Sequence, residues 1–100
     1  MSSTNPRTFS DTATYTIFDT TDVDGAAVKS GLITATGVAL TVIPYYRFAN
    51  GTPVAGNTIK VAADQQHPIV APGVGNSISK VTVAATSATG SATFGTIKGE

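Results

Sequence analysis

One hundred residues hold a single domain with one modest core, and an apolar share of 41% is enough to fill it. Six basic and six acidic side chains cancel, and the charged share of 12% is about half of the usual ~25%. No cysteine means no disulfide or thiolate metal site, no basic cluster means no nucleic-acid footprint, and no apolar run is long enough for a membrane span.

The residues available for the core point to one kind of structure. Leu32, Leu40 and Met1 are the only leucines and methionine, and Glu100 is the only glutamate. These are residue types that lose little on entering a helix, so their scarcity removes most helical vocabulary. Val, Ile, Thr, Tyr and Phe take their place, and they suit a pleated, half-buried surface. The composition predicts an all-β chain.

In chain order, residues 1–11 are polar, unpatterned and interrupted by Pro6, which predicts an extended N-terminal arm before a β domain over 12–100. Residues 12–18 alternate, with Ala13, Tyr15 and Ile17 on one face of a strand and Thr12, Thr14 and Thr16 on the other. Asp19 to Gly25 reads as a turn, and 26–30 as one loose helical turn held between Gly25 and Gly31. Two strands follow, 32–36 and 38–48, broken near Gly37. In the second, Val38, Leu40 and Val42 alternate with Ala39, Thr41 and Ile43. Pro44 has no N–H to give a ladder, so it predicts an edge, a bulge or the end of pairing.

Asn50 to Pro53 is a turn, and Thr58 to Ala63 a strand with Ile59, Val61 and Ala63 facing inward. Asp64 to Gln66 and Ala71 to Asn76 read as loops around the short apolar run Ile69-Val70. Residues 78–86 form a strand through Val81, Val83 and Ala85. Residues 91–98 return after a turn near Gly90 as the second half of a hairpin. Six to eight short strands at this spacing predict an antiparallel β-sandwich or small barrel.

Catalytic and metal constellations fail on inspection. His67 is the only histidine, and although Asp64 is near it in sequence, no serine sits in a strained nucleophile elbow. Asp19, Asp22 and Asp24 precede Gly25 as in a calcium loop. Placing Gly25 sixth puts Thr20 first and Gly31 twelfth, so both the leading aspartate and the bidentate glutamate are missing. Gly73-Val74-Gly75 lacks the third glycine and the lysine of a phosphate loop. One terminal glutamate and loop aspartates make a poor glycosidase pair. No enzyme, cofactor or metal is expected.

The residues with binding character are Tyr45, Tyr46, Arg47 and Phe48. On a strand, Tyr46 and Phe48 share one face while Tyr45 and Arg47 share the other. Tyr and Arg are enriched at interface anchors, so these four are candidate interface residues, with Arg7 of the N-terminal segment as a fifth. The same aromatics would also suit a carbohydrate-binding or adhesion module. The charges are uneven, with Arg7 against four aspartates over 1–24 and five cations against Asp64 alone over 25–98. So neutral a surface favours association with copies or a larger body.

The polar start Met1 to Ser10, the lack of cysteine, the few charges and the Thr/Ala/Gly/Val strands Gly31 to Leu40 and Val81 to Thr96 resemble the small β-rich accessory virion proteins of tailed bacteriophages. The resemblance is to the capsid decoration or cement type, and it is one of style over the whole chain. It implies a structural protein that forms homo-oligomers, trimers above all, and binds the major capsid protein lattice. A tail or fibre component is the nearest variant of that reading. Met1 to Arg7 has no apolar stretch after its basic residue, unlike a secretory leader, so synthesis in a host cytoplasm and residence in the virion are expected.

Overall fold

The computed structural model describes residues 5–19, 28–47, 52–73 and 76–98, the last two by backbone alone. Nine strands follow one another with no helix among the described residues: β1 (Arg7–Thr8), β2 (Thr14–Asp19), β3 (Val28–Thr36), β4 (Leu40–Arg47), β5 (Val54–Ala55), β6 (Ile59–Val61), β7 (Gln66–Val70), β8 (Ser77–Ala85) and β9 (Ser91–Lys98). They form two antiparallel sheets. Sheet A has the order β1-β9-β3-β7, and sheet B the order β2-β8-β4-β5, with β6 also on β4. The fold is a small β-sandwich, as the composition predicts.

Alternation sets which side chains enter the core. In β4, Leu40, Val42 and Pro44 are buried while Thr41, Ile43 and Tyr45 are half-exposed. Val81, Val83 and Ala85 of β8 lie beside them, and Ile33 and Ala35 of β3 and Ala92 and Phe94 of β9 close the core from sheet A. The Phe18 and Phe94 rings meet across the sheets, 5.3 Å between centroids. Phe94 lies over Gly31, where any Cβ would overlap the ring and the Gly95 carbonyl. Only glycine fits there.

Several expectations are corrected. The arm does not extend over 5–11: Arg7–Thr8 pair with β9, Phe9 is buried and its N–H donates to the Gly90 carbonyl at 3.0 Å. The β domain therefore includes residues 5–11, and 1–4 lie outside the described residues. Phe9 supplies the reason, because an apolar side chain in a polar segment gains by docking.

Val28–Ser30 are strand, not a helical turn, since Val28 is core and pairs with β9. Residues 66–70 are strand β7 rather than loop with a short apolar run; the polar Gln66-His67-Pro68 is tolerated because β7 is an edge. Ala63 is exposed in a turn, so β6 is shorter than expected. In β2 a bulge between Thr16 and Phe18 turns both Ile17 and Phe18 inward, where simple alternation allows one.

β8 and β9 do not form a hairpin. β8 pairs β2 and β4 in one sheet, and β9 pairs β1 and β3 in the other. The segment between them is an arch across the sandwich. Gly90 turns it with φ +75°, at a point where a Cβ would overlap Val38. The turn was legible, its destination was not.

Candidate interface surfaces

The four sheet edges differ in how they are finished. Pro44 lies inside β4, and its carbonyl accepts from Gly56 N–H at 2.7 Å on the β5/β6 side. Its missing donor faces the same side, in the gap between β5 and β6, so no ladder bond is lost. That edge is thus two short pieces. The β2 edge carries the bulge. The β7 edge has Pro68 at its middle, and the His67 ring lies against the Pro68 carbonyl, Nδ1 to O 2.7 Å, as an Nδ1–H donor.

The fourth edge, β9, is paired by only two residues of β1. Next to them the Asn5 side chain stands in for a strand. Its Nδ2 donates to the Phe94 carbonyl at 2.6 Å, and its Oδ1 accepts from the Phe94 N–H at 3.1 Å.

Arg7 is half-buried and serves this edge. Its guanidinium lies 4.0 Å from the centroid of the Tyr15 ring, closing the gap between β1 and β2. The Tyr15 hydroxyl donates to the Asp11 carboxylate at 2.7 Å, and Ala13 N–H donates to the same group at 3.1 Å. These bonds, with the Arg7 charge, hold the Asp11 carboxyl below the ordinary carboxylate range, and bonding to Asp11 raises the Tyr15 phenol. Arg7 is thereby engaged within its own domain.

Tyr45 and Tyr46 take opposite faces, as alternation requires. Tyr46 packs on the core and against Gly56, and loss of solvent raises its phenol. Tyr45 faces outward, with Lys80 Nζ 4.5 Å from its ring centroid. Arg47 is exposed opposite Ser77, and Phe48 lies outside the described residues. The structure does not join these side chains into one platform. Asp64 accepts from Gly37 N–H at 2.9 Å, so Asp64 and His67 each bond elsewhere. Asp22 and Asp24 lie outside the described residues, and no group of metal-ligating side chains forms among the described ones.

A surface that sequence reasoning missed is the outer face of sheet A. Register places its residues in rows: Thr8, Ser91 and Thr36; then Thr93, Thr34 and Gln66; then Gly95, Leu32 and Pro68; then Ser30 and Val70. None of these side chains is ionisable. Leu32 is 37% and Val70 59% exposed, both on this face. The outer face of sheet B, by contrast, carries Asp19, Lys80 and Tyr45 in one row and Thr14, Ala84, Thr41 and Lys60 in another. Sheet A has its described cations at the margins, Arg7 turned against Tyr15 and Lys29 at the β3 bulge with its Nζ donating to the Gly73 carbonyl at 2.8 Å. The chain matches no protein-family model and no curated protein.

Proposed function

We propose that this chain is a structural virion protein that associates with copies of itself and seats on a capsid lattice as a decoration or cement protein. It performs no catalysis in this reading. The observation that carries it is the uncharged outer face of sheet A, with Leu32, Pro68 and Val70 in adjacent rows. Exposed apolar side chains grouped without neighbouring charge mark contact surfaces, whereas scattered ones do not. A lattice multiplies a weak contact per subunit into strong attachment. The sugar-binding alternative draws less support from the described residues, because Tyr46 packs on the core while Tyr45 faces outward beside Lys80.

The test combines light scattering at micromolar to millimolar concentration with co-sedimentation on a panel of empty heads from tailed bacteriophages. Self-association together with saturable head binding is the expected result. A dispersed monomer at every concentration that leaves every head in the panel bare overturns the reading.

A further inference from the structure

We propose that the outer face of sheet A is the seat of a second copy of this chain, packed face to face about a two-fold axis that runs along the strands between β3 and β9. The proposal deepens the assembly reading and rests on it. Three observations select the occupant.

The first is shape. Leu32 projects from β3, and its direct cross-strand neighbour on β9 is Gly95, where a Cβ would meet nothing within 4 Å. A projection and an open space thus stand side by side, one strand spacing (about 4.8 Å) apart. Rotation about an axis midway between them carries each Leu32 over the Gly95 of the other copy. That is the condition for an isologous contact, in which residue i meets j and j meets i.

The second is position. In the order β1-β9-β3-β7 the line between β9 and β3 is the centre of sheet A. The rotation that seats Leu32 therefore lays β3 of each copy along β9 of the other. Thr34 comes over Thr93 and Thr36 over Ser91, the same pairs that the register already places together within one copy.

The third is charge. The rows from Thr8 to Val70 carry none, and the nearest cation, Lys29 at the β3 bulge, has its Nζ held by the Gly73 carbonyl at 2.8 Å, so two copies meet along β3 and β9 without burying an unpaired ion. The charged face of sheet B offers no such match, because Asp19, Lys80 and Lys60 would have to be desolvated against it.

Area sets the strength. At about 16 Å² of flat sheet per residue, β3 and β9 span about 270 Å², a third of the roughly 800 Å² per partner of a standard interface. The pair is expected to be weak and concentration-dependent, with two-fold rather than three-fold symmetry.

Sedimentation equilibrium of the full chain from micromolar to millimolar concentration tests it. The wild type is expected to approach twice the monomer mass. Gly95→Leu fills the open space, where its Cβ meets nothing within 4 Å, and Leu32→Lys places a charge beside the axis. Each is expected to weaken pairing at least about tenfold, the equivalent of about 1.4 kcal/mol, with an unchanged circular dichroism spectrum. Thr41→Lys, on the outer face of sheet B, is expected to leave it intact.

Pairing that survives both Gly95→Leu and Leu32→Lys, or a mass that converges on three copies, overturns this interface while leaving the assembly reading in place. A wild type that stays monomeric throughout overturns the interface as well. Head binding by that monomer then decides whether the assembly reading falls with it.

Discussion

At the scale of single residues, Asp11 is the group whose environment is most readable. The Tyr15 hydroxyl lowers its pKa most, the Ala13 N–H next, and the nearby Arg7 charge adds to both. A carboxyl lowered in the folded state contributes stability that is complete above its unfolded value, about 3.9, and is lost as pH falls through the lowered folded value. Tyr15 runs the other way. Its phenol is raised mainly by donating to Asp11, so its contribution is present below the unfolded value of about 10 and is lost as pH rises through the raised one. Between those limits the cluster holds. A carboxyl-detected NMR titration is expected to place Asp11 below 3.9, and Tyr15→Phe to return it toward that ordinary value. An unshifted Asp11 in the wild type would mean that the hydroxyl does not hold it in solution.

At the scale of elements, the question is how a sheet ends. Proline, a bulge and short broken strands finish three edges, while a side chain finishes the fourth. Asn5→Ala would leave the Phe94 N–H and C=O without that partner at a half-buried position. The expected cost is about 1–3 kcal/mol by urea unfolding, with faster hydrogen exchange at the Phe94 amide. Unchanged exchange at Phe94 would show that the edge does not depend on Asn5. Elements buried on one face were legible, since β4 and β8 follow the alternation of Leu40, Val42, Val81 and Val83. What escaped was anything decided by a distant partner. Gln66-His67-Pro68 has no strand pattern of its own and becomes β7 because β3 runs alongside. Gly90 announces a reversal, but only Val38 and Thr36 beside it show that the chain passes to the other sheet.

At the scale of the whole molecule, the scarcity of charge was plain in the composition, but its distribution was not. Register is needed to see that Ser30, Leu32, Thr34 and Thr36 share a face with Thr93 and Gly95, and that Lys60 and Lys80 face the opposite way. The candidate residues divide by the same logic. Opposite faces for Tyr45 and Tyr46 follow from spacing alone, whereas the capture of Arg7 by Tyr15 depends on two sheets closing over one another. The pairing of β1 with β9 has a practical consequence. Arg7 lies opposite Ala92, and β9 runs on to Lys98, about 13 Å past the level of Asn5. A linker of about six glycines and serines covers that span. A circularly permuted chain, joined from Lys98 to Asn5 and opened between the exposed Asn57 and Thr58, is expected to melt cooperatively as the same sandwich. Loss of that transition on permutation would mean the native order of synthesis matters to the fold, and its survival would give a scaffold that can be cut and grafted on the side away from β1.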